Sequence, residues 1–253
     1  MEILFLGTGT SHGIPVIGCG CPTCTSTNEK NKRLRSSVLI SLSGKQILID
    51  TSIDFRQQAL RYRIDRIDAI LFTHHHVDHI FGLDDTRIFN RIQKKKTPCY
   101  GAKPTIKQLK HIYSYIFEYP DIPGGIPMLD FLKLDSEPFD VEGITVTPIE
   151  IMHGKMPINA YRIENAVYAT DCSFIPEQSM DKFSNADVLI LDCLRLRKHP
   201  THFNLEQALE IANKINARQT YFTHMSHEIE HDEVSKMLPN NVALAYDGLK
   251  ITL

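Results

Sequence analysis

The stretch Thr73-His74-His75-His76-Val77-Asp78-His79 decides the reading of this chain. As a pattern it is H-x-H-x-D-H, delivered directly by the apolar run 69–72. In extended backbone alternate side chains share a side, so His74 and His76 point together. Asp78 and His79 fall on the next turn and face a neighbouring point. The segment offers two pairs of ligands, which suits two adjacent metal ions. Imidazole combined with carboxylate suits Zn, Mn or Fe. A solvated histidine-rich loop is the plain alternative, but such a loop rarely follows directly on a buried strand.

Two metals need about eight coordination positions at about four per ion. The missing ligands are expected at the ends of other strands. His153, Asp171 and His224 are each the first strongly ligating residue after an apolar run, at 144–151, 167–170 and 220–223.

The rest of the chain has ordinary globular composition. Its 253 residues are enough to bury roughly 70–75% of the unfolded surface, so neither disulfide nor metal is needed merely to fold. Lys+Arg is 28 against 30 Asp+Glu, a formal charge of −2. That balance argues against a protein that coats nucleic acid. No apolar run approaches the roughly 18 residues of a membrane span. The opening MEILFLGTGT has no basic segment and too short an apolar stretch for a signal peptide, so a cytoplasmic location is expected. Twelve His and six Cys stand out.

Predicted elements are strand 2–6, a hairpin of 37–42 and 46–50 about Ser43-Gly44, helix 54–63, strand 69–72 and a helix from Ile80. A strand near Cys99, helix 105–116 and a Pro/Gly loop at 120–127 follow. Further strands are read at 131–134, 144–149, 160–163, 166–169, 188–191 and 220–222, with helix 205–215 and a final hairpin in the last dozen residues. No linker, repeat or low-complexity segment interrupts them. One α/β domain over 1–253, with two central sheets and helices outside, is the expected architecture. Gly7-Thr8-Gly9 after the first strand invites a dinucleotide reading. Gly13 stands one place too late for G-x-G-x-x-G, and no helix pattern follows. A tight loop close to a site on the sheet edge is the better use of these glycines.

THHHVDH, with His153, Asp171 and His224 following in that order, resembles the metallo-β-lactamase superfamily. The resemblance runs from LGTGTS nearly to the last residues. It implies a four-layer αββα sandwich of two mixed β-sheets, with a two-metal site on the sheet edges. It further implies that His74, His76 and His153 hold one metal, that Asp78, His79 and His224 hold the other, and that Asp171 bridges them. His75 falls at a non-ligand position. Asp50, ending the strand 47–50, matches an Asp that supports the ligand loop from behind.

Cys19-Gly20-Cys21-Pro22-Thr23-Cys24 lies in an irregular stretch, 12–34. Without signs of secretion a disulfide framework is disfavoured. Three such cysteines read as three ligands of a tetrahedral structural Zn; a redox-active or merely clustered set is the alternative. In Thr223-His224-Met225-Ser226-His227, His227 can face the cysteines as fourth ligand while His224 serves the catalytic pair. Cys99, Cys172 and Cys193 lie in or beside apolar runs and read as buried small hydrophobes.

LGTGTSHGIP, the C-x-C-x-x-C and THMSH together resemble the PhnP-type phosphodiesterases, associated with the carbon–phosphorus lyase pathway. Those proteins hold a structural zinc through three Cys and one His. The resemblance implies hydrolysis of small cyclic or simple diesters of ribose phosphates by a hydroxide held between two divalent metals, Zn or Mn. It also suggests a homodimer. His202 and Leu205 match a His–Leu pair near the scissile phosphate, which makes His202 the general acid or a donor to the phosphoryl oxygen. His202 and the metal-held Asp78 are thus the residues assigned to catalysis. Arg195, Arg197 and Lys198 read either as phosphate contacts or as a solvated face. His199 lacks a match, and His12, His111 and His231 default to surface or loop. The chain departs from the pathway enzyme at 105–128 and 194–201, which leaves the substrate open.

Three rivals are weighed. A tRNA 3′-processing endonuclease shares the ligands and the GTG turn, but the short 120–127 loop and the acidic balance argue against it. A zinc-binding module without catalysis needs one metal, not three. A flavo-diiron oxidoreductase needs Glu where His76 stands and a flavin domain for which the chain has no room.

Overall fold

Apolar residues run without polar relief along the central strands, the mark of strands covered on both faces. In the computed structural model, which describes residues 1–118 and 125–253, the period-two alternation of each strand divides its side chains between two cores. Residues 120–124 of the 120–127 loop lie outside the described residues.

The first sheet comprises β1 (Glu2–Gly7), β2 (Ser37–Leu42), β3 (Lys45–Ile49), β4 (Ala69–Phe72), β5 (Thr97–Ala102) and β6 (Leu129–Leu134). The second comprises β7 (Phe139–Val141), β8 (Ile144–His153), β9 (Met156–Ile163), β10 (Ala166–Ala169), β11 (Val188–Asp192), β12 (Gln219–Thr223) and β13 (Val242–Leu244). A last strand, β14 (Lys250–Thr252), completes the first sheet beside β1. Each sheet has seven strands and mixes antiparallel with parallel pairs.

Ile3 and Phe5 of β1, Ala69 and Leu71 of β4, and Val188 and Ile190 of β11 fill the core between the sheets. The alternate residues Leu4, Leu6, Ile70 and Phe72 face the helices Phe55–Tyr62, Arg87–Gln93 and Lys103–Ile112. Leu189 and Leu191 face the helix Leu205–Ile215 through Leu205, Ala208 and Ala212. Helix, sheet, sheet, helix is the expected four-layer sandwich. The helix 205–215 begins with a capping box, Asn204 accepting from the Gln207 N–H and Gln207 reaching back, which satisfies two otherwise unpaired donors.

Three readings are corrected. The last dozen residues are not a hairpin: β13 pairs parallel with β12 in the second sheet and β14 pairs antiparallel with β1 in the first. Periodicity reads a strand but not its partner. The helix 105–116 is two segments, Lys103–Ile112 and Tyr115–Glu118, broken where Tyr113 leaves helical geometry. His231 is not a surface or loop residue: it is buried at the start of the helix His231–Ser235, against Tyr246.

Gly7 and Gly9 serve close approach. A Cβ at Gly7 would lie 2.1 Å from the Arg35 carbonyl oxygen, and one at Gly9 would lie 2.8 Å from that of Arg33. This tight loop also pairs with the end of the second sheet: the Met225 N–H donates to the Thr8 carbonyl at 2.9 Å, and the Thr10 N–H donates to the Met225 carbonyl at 3.1 Å. The Tyr161 hydroxyl donates to the Phe72 carbonyl at 2.7 Å, and the Asn159 N–H donates to the Thr73 carbonyl at 3.1 Å. The sheets are thereby tied together just below the edge where β3, β4, β8, β10, β11 and β12 end.

Candidate metal centre and active site

Those strand ends deliver Asp50, His74, His153, Asp171, Asp192 and His224 to one place. Asp50, Asp171 and His224 follow their strands with φ of 62°, 56° and 60°. Left-handed backbone is uncommon outside glycine and is retained where surrounding structure demands it. Here it turns each chain back over the sheet edge at a residue of the cluster.

The ligand-type atoms of His74, His76 and His153 lie within 4.8 Å of one another, as do those of Asp78, His79 and His224. Asp171 stands between these groups. Its Oδ2 is 3.2 Å from His79 Nε2, and its Oδ1 is 3.3 Å from His224 Nε2 and 3.9 Å from His74 Nε2. His75 lies outside these groups, half-buried, with its ring 6.1 Å from that of His76.

Three of the imidazoles are oriented from behind. His79 Nδ1 is 2.7 Å from Asp50 Oδ2. The Thr73 hydroxyl donates to Asp50 Oδ2 at 2.8 Å, and its oxygen is 3.0 Å from His74 Nδ1. His153 Nδ1–H donates to the carbonyls of Asp171 and Thr201, at 3.1 and 2.9 Å. With the Nδ1 atoms of His74, His79 and His153 engaged outward, their Nε2 atoms face the cluster. The Nε2 atoms of His74, His79 and His224 are buried with no hydrogen-bond partner among the described residues. Buried polar atoms are ordinarily paired, so three converging unpaired nitrogens fit a cation.

The charge pattern supports the same fit. Asp50, Asp78, Asp171 and Asp192 make ion pairs only with histidines among the described residues; no Lys or Arg neutralises them. Burial alone would raise Asp171, but the imidazoles of His224 and His79 outweigh it and hold it well below the usual carboxylate range. Burial likewise pushes His74 down, whereas the carboxylates of Asp171, Asp78 and Asp50 overcome burial and push His79 well up. The carboxylates that favour a proton on His79 would equally favour a cation in its place: anionic oxygens among converging imidazole nitrogens are a donor set for a divalent metal, which binds as those nitrogens give up their protons.

His202 was paired in sequence only with Leu205, and the structure packs it against the cluster. Its ring stacks on His224 at 5.0 Å and 11°, and meets His153 edge-on at 4.7 Å. Its Nδ1 lies 3.2 Å from Asp192 Oδ1. Burial lowers its pKa, but Asp192 overrides burial and lifts it to about 9. Asp192 is the residue that sequence reading missed. It ends the apolar strand Val188–Asp192, so the rule that found Asp171 and His224 would have found it too. His199 also lies close, its ring 5.1 Å from His202.

Arg195, Arg197 and Lys198 form the surface side of this loop. Arg195 donates to the carbonyls of Arg197 and Lys198, and Arg197 pairs with Glu228.

The second cluster is separate. His227 Nδ1 lies 3.3, 3.6 and 3.6 Å from the sulfurs of Cys19, Cys21 and Cys24. Tetrahedral zinc with Zn–S near 2.3 Å and Zn–N near 2.1 Å sets these atoms about 3.6 Å apart. The four residues therefore fit zinc. The Cys24 backbone N–H donates to Cys21 sulfur at 3.4 Å and lowers the Cys21 pKa, favouring the thiolate that zinc requires. Cys99, Cys172 and Cys193 are fully buried, as expected.

Residues 45–225 match the family model of the beta-lactamase superfamily domain. Over all of this chain and 97% of the other, the protein is 42% identical to a crystallised diphosphatase from the PhnP family, with a TM-score of 0.94. An octanoyltransferase of Porphyromonas gingivalis is 37% identical over 99% of this chain, which spans about half (51%) of that relative's length. Human short-form tRNase Z, at 20% identity and a TM-score of 0.73, over 100% of this chain and 99% of that one, shares the fold. Among the described residues no helix is long and apolar enough to cross a membrane. A donor set that fits divalent metal, on a sandwich matched along its whole length, leads to one conclusion: the chain belongs to the metallo-β-lactamase superfamily and, within it, to the PhnP family.

Proposed function

We propose that the chain is a two-metal phosphohydrolase that cleaves a P–O bond in small phosphodiesters, with phosphoanhydrides such as the PhnP-family diphosphatase's name denotes included among its substrates. It is read as one hydrolase domain over 1–253, with a zinc-holding loop at 12–34. The observation that carries the reading is the pair of ligand groups, His74/His76/His153 and Asp78/His79/His224, meeting at Asp171 with the His202–Asp192 pair beside them.

Unaided hydrolysis of a phosphodiester is slow enough that an enzyme must lower its barrier by on the order of 20 kcal/mol. When bound, the metal pair supplies an activated water and neutralises phosphoryl charge. The chain's own residues supply the rest. His202, held through Nδ1 by Asp192, presents its Nε2–H to the leaving oxygen and donates the proton as the P–O bond breaks. Asp50 and Thr73 hold the rings of His79 and His74, and the Thr201 carbonyl holds that of His153. His227 and the three cysteines would hold a structural zinc that anchors the amino-terminal loop beside His224.

The test is elemental analysis of the purified protein together with turnover of bis(p-nitrophenyl) phosphate, a cyclic ribose phosphate and a dinucleoside diphosphate. Three metal equivalents with turnover of at least one substrate are expected. A single equivalent without turnover would leave a zinc-binding module and end the enzyme reading.

A further inference from the structure

His199 stands on the outer side of His202 and has no role in the scheme above. The two rings lie 5.1 Å apart at 51°. His202 is buried against His153 and His224, whereas His199 is half-exposed. From the interior outward the order is ligand cluster, His202, His199.

The tautomer of His199 follows from its contacts. The Thr201 backbone N–H donates to His199 Nδ1 at 3.4 Å, and the Thr201 hydroxyl lies 3.2 Å from the same nitrogen. A neutral imidazole nitrogen that accepts carries no proton, so the proton sits on Nε2. That Nε2–H has no partner among the described residues. Thr201 is fixed in turn. Its carbonyl accepts from His153 Nδ1–H at 2.9 Å, and its methyl packs where a Cβ on Gly154 would approach within 2.8 Å. One residue therefore couples His199 to the candidate ligand His153.

We infer that His199 is a specificity residue for the leaving group, its Nε2–H donating to a phosphoryl oxygen when the leaving group is itself a phosphate; this rests on the phosphohydrolase reading above. The leaving oxygen takes its proton from His202, so the atoms beyond that oxygen extend outward and meet His199. In a dinucleoside diphosphate those atoms are a second phosphorus and its charged oxygens. In bis(p-nitrophenyl) phosphate they are aromatic carbons, which accept no hydrogen bond there. During the reaction the water oxygen bonds to the first phosphorus, the bridging P–O bond breaks, and the His202 proton goes to the bridging oxygen. His199 keeps its proton throughout.

The experiment measures kcat/KM for wild type, His199→Asn and His199→Gln on diadenosine diphosphate and on bis(p-nitrophenyl) phosphate, with metal content checked for each protein. Asn keeps an acceptor for Thr201 and lacks the outer donor; Gln places a donor near the Nε2 position. His199→Asn is expected to lose about tenfold or more on the diphosphate, the scale of one hydrogen bond to a charged partner. The loss on bis(p-nitrophenyl) phosphate is expected to be clearly smaller, and Gln to recover part of the diphosphate rate. Equal losses on both substrates, no loss on either, or wild-type turnover of the monophosphate diester alone overturns the inference and leaves the two-metal reading standing. Turnover of neither substrate by fully metallated wild type overturns both.

Discussion

His202 Nδ1 lies 3.2 Å from Asp192 Oδ1, and that same oxygen accepts the backbone N–H of Asp171 at 3.1 Å. Asp192 Oδ2 accepts the Phe203 N–H at 3.0 Å. One carboxylate at the end of β11 thus orients the proposed acid, its loop, and the residue between the two ligand groups.

Asp192→Asn should move the alkaline limb of the pH–rate profile to lower pH. Burial lowers the His202 pKa, and Asp192 outweighs it, raising the value to about 9. A general acid works while protonated, so activity is present below this pKa and is lost as pH rises through it. Removing the charge takes away the raising effect. An unmoved alkaline limb would show that Asp192 does not tune His202.

His202→Ala should keep all its metals and lose roughly 10²–10⁴ in kcat, the usual value of a positioned acid. The p-nitrophenoxide of bis(p-nitrophenyl) phosphate is a weak base and leaves with little help from an acid, so a diester with an alkoxide leaving group belongs in the assay. Wild-type turnover of that diester would remove His202 from the chemistry.

Asp50→Asn should weaken the catalytic metals by about 10–100-fold, the usual cost of losing a group that orients a metal ligand. Asn tolerates the left-handed φ of 62° at this position. The change therefore removes the carboxylate behind His79 without forcing the backbone. Chelator competition gives the affinity, and wild-type retention would contradict the orienting role.

Asp78→Ala should lose one catalytic metal and keep the zinc of the cysteine cluster. Elemental analysis decides, since simultaneous emptying of both sites would contradict two separate jobs.

His227→Ala should lose one zinc equivalent, lower Tm by about 5 °C or more, and open residues 12–34 to proteolysis. A shift of that size corresponds to about 2 kcal/mol in a chain of this length. Unchanged zinc content would show that His227 is not a ligand.

Much of the fold was readable from local pattern. The strands at 69–72 and 166–169 and the helix at 205–215 agree with the structure to the residue, because alternation and apolar runs are local signals. The Ser43-Gly44 turn was likewise legible, and both residues adopt left-handed φ, 50° and 73°. The final strands were misjudged as a pair because nothing in either one encodes which sheet edge is free to receive it. His231 was misplaced for a related reason: burial depends on what packs above a helix start, here Tyr246.

The amino-acid sequence by itself determined the chemistry available: a run of histidines with Asp78, isolated Asp and His residues at strand ends, and three cysteines in six positions. Residue type and spacing suffice for that, since a ligand atom is a property of its side chain. Only the tertiary structure decided that six strand ends converge, that the unpaired Nε2 atoms of His74, His79 and His224 face one another, and that Asp192 and His199 flank His202. Those relations join residues up to 174 positions apart, from Asp50 to His224. They depend on sheet register and on left-handed turns at Asp50, Asp171 and His224, which long-range packing selects and local sequence does not.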